Sequence, residues 1–391
     1  MKILLIHNKY QQAGGEDLVF ESEGELLARY NHLVERLIFD NKEIKTNIDK
    51  ILSGLKGFYN SDSGKELAER IERFKPDIIH VHNFVPLASP SIFYIAKRYK
   101  IPVVVTLHNY RLICPSATLF YRRKIYEKSI HSIFPLDAIL KGVYRDSRIQ
   151  TAGMVAVMSL HNIIGTWRKK VNKFIVLTEF ARNKFRNSAL RVSADQFLLK
   201  PNFIVDPGNG EVNRDDFFLF IGRLSEEKGI DTLLNASKIY NFNLTIIGDG
   251  PMRKKVEEFS AASPNISYMG FQQKPVILDK LKKCKALLFP SIWYEGFPLT
   301  ILEAFATGTP VIGSRIGGVA EIVTDNFNGL HFEPGDENDL IRKIIQMKQI
   351  GLAKALSENA RSTYLERYTP ERNYKILMDI YDQVIASGLN V

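Results

Sequence analysis

The sequence predicts an α/β protein of two doubly wound, Rossmann-like domains, and three observations predict it. Short aliphatic runs alternate with longer amphipathic segments along the whole chain, the pattern of parallel βαβ units with helices on both sheet faces. The 391 residues exceed what one hydrophobic core usually supports. Most of the aliphatic runs end at a polar residue or glycine, as strands do where they deliver groups to a ligand crevice.

In the first half the strand candidates are KILLIH, HLVERLIF, DIIHVHN, IPVVVTLH and KFIVLT, with the helix LVFESEGELLARY after the first of them. In the second half they are FFLFIG, LTIIGD, ISYMG, ALLFPS, PVIGS and NGLHF, separated by helices such as DTLLNASKIY, VILDKLKKC and ENDLIRKIIQMKQI. Residues 201–216, PNFIVDPGNGEVNRDD, are rich in Pro, Gly, Asn and Asp without periodicity and form the linker candidate. The domains expected are 1–203 and 217–370 joined by 204–216, with a C-terminal helix over 371–391 placed to pack back on the first. Ligands of such folds bind at the C-terminal strand edges, so the two domains are expected to face a central cleft. His80, His82, His108 and Asn109 would line it from one side and Gly222, Arg223, Gly248, Asp249, Pro290 and Ser291 from the other. Segment 120–150 is the hardest to assign.

Composition narrows the function. Cys114 and Cys284 are the only cysteines, too few for a disulfide scaffold or a CxxC zinc pattern, and a reducing cytosol is expected. MKILLIHN leaves no signal-peptide core, and AGMVAVMSLHNIIGTW is too short and too polar to span a bilayer. Net charge is +10, carried by the first 203 residues with 32 Lys+Arg against 19 Asp+Glu. Lys97 to Lys128 is its densest run, with Glu127 the single acid. Anionic lipid, nucleic acid or an acidic substrate would suit such a surface, and so would bulk water.

EGFPLTILEAF, residues 295–305, sets Glu295 and Glu303 across a loop-to-helix boundary marked by Pro298. Between them the free N–H groups of Leu299 and Thr300 at a positive helix end favour a diphosphate. A carboxylate there repels the ligand unless it accepts from neutral hydroxyls, so both glutamates point to sugar. GRLSEEKG, residues 222–229, follows a strand: Gly222 permits a tight turn, and Arg223 with Lys228 could clamp a diphosphate leaving group. IGDG brings Gly248, Asp249 and Gly250 to the next strand end, where the backbone could approach a flat base; Arg253 replaces the third glycine of a dinucleotide fingerprint. QQAGGED places Gly14 and Gly15 after the first strand, either near a ligand or in a plain βα turn. His108 ends VVVTLH as a ligand contact or a structural histidine. No Asp-x-Asp occurs, so a carboxylate-held metal diphosphate lacks its ligands and no metal is expected.

Taken in order, GRLSEEKG, IGDG and EGFPLTILEAFATGTPVIGSRIGGVAEIV strongly resemble the retaining glycosyltransferases of family 4, which have the GT-B fold. The resemblance is close over 217–340. It implies that Glu303 binds the nucleotide ribose and Glu295 the donor sugar, while backbone N–H groups of Gly296, Phe297, Leu299 and Thr300 hold sugar and phosphate. It further implies that Arg223 and Lys228 neutralise the diphosphate, that His108 lies at the sugar's reacting face and that a Gly15 amide lies near the diphosphate. HNYRLICPSATLF, GTW, VLTEFARNKF and KPNF resemble one branch of that family, whose further cysteines are replaced here by KIYEKS.

The expectation is a metal-independent retaining hexosyltransferase without cofactor, taking a nucleotide-diphosphate sugar to a saccharide or lipid-linked saccharide acceptor in surface polysaccharide, lipopolysaccharide or capsule synthesis. It would be cytoplasmic, peripheral on an anionic inner membrane face, with no nucleic acid partner. A sugar-nucleotide epimerase, a basic binding protein on this fold and, least of all, a dehydrogenase are the rivals.

Overall fold

The computed structural model describes residues 1–9, 14–43, 56–211 and 213–388. The chain clusters into two units: residues 1–121, 126–202 and 373–391 form the first, and residues 122–125 and 203–372 the second.

The first unit is built on a six-stranded parallel sheet, β1 (Lys2–Lys9), β2 (Leu33–Asp40), β3 (Ile78–Val81), β4 (Val103–Leu107), β7 (Lys173–Val176) and β8 (Phe197–Leu199), in the order β2-β1-β3-β4-β7-β8. Ile3 to Ile6 of β1 are all fully buried, which is why this strand reads as an unbroken aliphatic run rather than an alternating one. Its register sets Leu4 beside Ile79 and Leu5 beside His80. The C-terminal helix Pro370–Gly388 adds Leu377, Ile380, Tyr381 and Val384 to the core that holds Ile3, Leu5 and Phe20.

Two features escaped the sequence pattern. The strand β8 is three residues long and, among the described residues, pairs with β7 alone, Phe174 beside Phe197, so it carries no period to detect. Within 120–150, β5 (Phe120–Tyr121) and β6 (Lys124–Ile125) form a two-stranded ribbon turned by Arg122 and Arg123, both at positive φ. Arg-Arg takes the place of the Asn-Gly that normally advertises such a turn. The helix Leu136–Lys141 follows.

The second unit holds β9 (Phe218–Ile221), β10 (Leu244–Ile247), β11 (Ile266–Tyr268), β12 (Ala286–Phe289), β13 (Val311–Ser314) and β14 (Gly329–Phe332) in the parallel order β11-β10-β9-β12-β13-β14. The order reverses between β9 and β12, which makes the C-terminal ends of these two strands the ligand crevice of the sheet. Phe218, Phe220, Leu233, Leu244 and Ile246 pack on one face, and Leu219, Leu287, Ile301, Leu302 and Phe305 on the other. Residues 204–211 have no regular structure, yet the segment is fastened to this unit. Arg214 donates to the carbonyls of Leu281, Cys284 and Thr307 at 2.9, 3.1 and 2.7 Å and to the Thr309 hydroxyl at 2.9 Å.

Candidate active site

The loops leaving β9, β10 and β12 close on one another at the switch point of the second sheet. Gly248 lies so near the first loop that a Cβ there would sit 1.9 Å from the Gly222 carbonyl oxygen, and its φ of +146° disfavours any side chain. Leu224 N–H donates to the Asp249 carbonyl, and Met252 N–H to that of Leu224, both at 2.9 Å. Gly229, at φ +73°, lets the start of the helix Ile230–Ile239 pass the Pro290 carbonyl, which a Cβ would meet at 1.8 Å. The glycines of GRLSEEKG and IGDG are thus first of all conditions for close loop packing. Gly248→Ala is expected to destabilise this unit by about 2 to 4 kcal/mol, read as a fall in urea midpoint; an unchanged midpoint would contradict this contact.

That packing presents the chemistry. Lys228 ends the short 3₁₀ turn Glu226–Lys228, and its ammonium donates to Glu295 Oε1 at 2.7 Å. Glu295 is buried and also accepts from the Ser291 hydroxyl at 2.6 Å. The ammonium lies 5.3 Å from the centre of the Trp293 ring and 5.9 Å from that of Phe289, within cation–π range of both. Arg223 is exposed on the same loop, with no side-chain ion pair among the described residues. Pro298 caps the helix Leu299–Ala306 in an extended conformation without a side-chain cap bond. Among the described residues the N–H groups of Gly296, Phe297, Leu299 and Thr300 find no protein acceptor, while that of Ile301 is taken by the Pro298 carbonyl at 3.1 Å. A row of free donors therefore stands at the positive end of this helix.

Glu303 falls in the second turn of that helix, buried, and is ion-paired with Lys274 at the start of the helix Lys274–Lys283. Burial pushes its carboxyl up, against the pull of Lys274. Asp249 and Gly250 lie at the tip of the β10 loop, where Asp249 is exposed.

In the first unit the expected strand-end histidines divide. His80 and His82, expected to line the crevice, are buried, and His108 and Asn109 are half-buried. What draws the other two inward is Glu23, a fully buried carboxylate on the helix Gly15–Arg29. Glu23 is paired with Lys200 at 2.6 Å and lies 3.0 Å from His80 Nδ1 and 3.2 Å from His82 Nε2. Burial alone would raise its pKa, but Lys200 and the two histidines hold it well below the usual carboxylate range. Burial and the neighbouring His80 push His82 down to about 3, so its ring is neutral.

The order of donors follows. Glu23 accepts from His82 Nε2–H, which leaves His82 Nδ1 as an acceptor, and it accepts from His108 Nε2–H at 3.1 Å. His108, itself held neutral by burial and by His82, then turns a lone pair on Nδ1 outward as its free ring atom. Gly15 opens the helix Gly15–Arg29, and Asp17 accepts from Gly14 N–H at 2.7 Å and lies 2.8 Å from His7 Nε2.

Sequence reasoning missed Glu23, Lys200, Lys274 and Trp293, whereas Ser291, expected at the crevice, is found there on Glu295. Glu23 carried a signal, an acid on the stripe Val19, Phe20, Glu23, Leu26, Leu27 that is otherwise apolar and buried. Lys274 carried none, because its partner is 29 positions away.

Comparison with known proteins agrees with this architecture. Residues 205–363 match the model of glycosyl transferases group 1, and residues 50–192 that of glycosyltransferase family 4. An uncharacterized glycosyltransferase of Methanocaldococcus jannaschii is 34% identical over 172 residues, 43% of this chain and 48% of that protein. The chain thus spans about half the length of such curated relatives. N-acetyl-alpha-D-glucosaminyl L-malate synthase of Bacillus anthracis is 24% identical over 100% of this chain and 99% of its own. The Anabaena protein HepE, solved in complex with UDP, superposes with a TM-score of 0.69 at 15% identity, covering 98% of this chain and 100% of its own. The fold is GT-B. Within it, the chain belongs to the family 4 glycosyltransferases.

Proposed function

We propose that the protein transfers a hexose or N-acetylhexosamine from a nucleotide-diphosphate sugar to a saccharide acceptor, with retention of configuration and without a metal. The observation that carries this reading is the pairing of Lys228 with Glu295 beside the free N–H row at 296–300. An ammonium has three protons, and Glu295 takes one. The others suit the oxygens of a diphosphate, with Arg223 and the helix end adding positive potential. Glu295 is then placed to accept from a sugar hydroxyl, and Glu303 from the ribose.

In this scheme the bond from the sugar C1 to the phosphate oxygen breaks as the acceptor oxygen bonds to C1 on the same face. The acceptor's proton passes to the departing phosphate oxygen, so no separate base is required. Lys228, Arg223 and the helix end stabilise the charge that develops on the diphosphate. A Glu303→Gln substitution would keep the shape but weaken the ribose contact.

A lipid-linked acceptor, in surface polysaccharide synthesis at the cytoplasmic face of a membrane, would explain the charge of the first half. Among the described residues no helix is long and apolar enough to cross a membrane, so attachment would be peripheral. The test is a screen of UDP-, GDP- and ADP-sugars for saturable binding and slow hydrolysis, begun with UDP-sugars because HepE was solved with UDP. Binding to one base class, weakened about tenfold in Glu303→Gln, is expected; no saturable binding by any of them would end this reading. The anomeric configuration of the product then decides between retention and inversion.

A further inference from the structure

The helix Arg148–Ile163 is inside out. Its buried face carries the polar groups: Thr151 donates to the Ser147 carbonyl at 2.7 Å, Ser159 to that of Ile133 at 2.6 Å and Asn162 to that of Ala189 at 2.9 Å, while His161 Nε2 lies 2.9 Å from that of Phe58. Its outer face, at positions 149, 153, 156, 160 and 163, reads Ile, Gly, Ala, Leu, Ile, a helical stripe with no charged residue. Ile149 is 86% exposed and Ile163 57%. The helix Leu136–Lys141, packed against it, adds Leu136 at 61% and Leu140 at 66%. A water-facing helix normally reverses this arrangement, and a contiguous apolar face of this kind marks a binding surface.

The charges around it identify the partner. Residues 131–170 hold six Lys/Arg against two Asp, and one of those, Asp137, is already paired with Lys141 at 2.9 Å. Arg145 and Arg148 lie at one end of the stripe, and Arg168 and Lys169 immediately beyond the other, all exposed. A second copy of the chain fits poorly, because a two-fold interface sets a patch against itself and would bring like charges together. An anionic bilayer supplies both an apolar layer for the stripe and phosphate for its cationic ends.

We propose that this face, helices 136–141 and 148–163 with their flanking cations, docks the protein on an anionic lipid surface. This sharpens, and rests on, the proposed membrane attachment, and it moves that attachment away from the Lys97–Lys128 run. In that run Arg123 is engaged by Asp231 at 2.6 Å and Glu226 at 3.6 Å. The stripe residues would enter the interface between headgroups and acyl chains, and the arginines would remain at the phosphates.

Co-sedimentation of the full chain with equimolar phosphatidylcholine and phosphatidylglycerol vesicles, and with phosphatidylcholine alone, tests the proposal. The protein is expected to bind the mixed vesicles and not the neutral ones. The double substitution Leu140→Asp with Ile149→Asp is expected to lower the partition coefficient at least about tenfold. Arg145→Glu with Arg148→Glu is expected to lower it and to flatten its salt dependence. All four side chains are exposed, so folding, followed by circular dichroism, and saturable donor binding without vesicles stay unchanged in the variants. No binding by the unsubstituted protein overturns the proposal, and so does equal binding by the stripe variant. Light scattering that shows a dimer dissociated by Ile149→Asp assigns the face to a second copy instead. Donor binding is read separately, so failure of the lipid surface leaves the nucleotide-sugar reading standing, and the reverse.

Discussion

Lys228→Ala is expected to slow glycosyl transfer by about a hundredfold or more, the range seen when one preorganised donor to a developing negative charge is removed. The loss should fall on kcat rather than on donor affinity alone, because the diphosphate carries more charge as it departs than in the ground state. Stability should change far less. Glu295 keeps the Ser291 hydroxyl at 2.6 Å, and the lysine side chain is 21% exposed, so water can reach the vacated place. Lys228→Arg is expected to recover only part of the rate, since a planar guanidinium does not fit a point-charge position between two rings at 5.3 and 5.9 Å. Arg223→Ala supplies the comparison: its side chain is exposed, so the rate should fall with the melting temperature unchanged. The measurement is single-turnover kinetics with the donor identified by the screen. Turnover of Lys228→Ala within a few-fold of the unsubstituted protein would remove the residue from the mechanism.

How far these roles could be read from the chain depended on whether their partners were near in sequence. GRLSEEKG, IGDG and EGFPLT each follow an aliphatic strand, so the topology places all three at one sheet edge. The strands with both faces covered were legible for the same reason, as with Ile3 to Ile6 and Val103 to Val105. What was not legible is pairing across long separations. Glu23 meets Lys200 at 177 positions and His80 meets Tyr381 at 301, and no local pattern encodes either. The ribbon at 120–125 was hidden for a different reason, because its turn is made by arginines at positive φ. Sequence rules out AGMVAVMSLHNIIGTW as a bilayer span, but only burial shows that the polar side of the helix Arg148–Ile163 faces inward. His80 and His82 were expected at the crevice because strand position locates a residue along the sheet, not its depth under a neighbouring helix.

The buried network behind His108 carries the largest expected effect on stability. Lys200→Met is expected to destabilise the first unit by about 3 to 5 kcal/mol, because it leaves the Glu23 carboxylate fully buried without its countercharge. Pairing it with Glu23→Gln should recover much of that loss, since a neutral amide needs no ion. The same network makes the unit acid-sensitive. An unfolded histidine takes up its proton near 6.5, whereas folded His82 stays neutral down to about 3. Across that window the unfolded chain holds the extra proton, so stability falls as pH falls, by about 1.4 kcal/mol per pH unit for such a histidine. His108, shifted in the same direction, begins to lose stability in the same way. Glu23, held well below its ordinary 4.5, adds a further loss once pH drops below that value. Urea unfolding at pH 7 and pH 5 is expected to show a loss on the order of 2 kcal/mol from His82, with the slope reduced in His82→Gln. Equal midpoints at the two pH values would mean that these rings exchange protons with solvent in the folded state, and His108 would then not be held as a neutral acceptor.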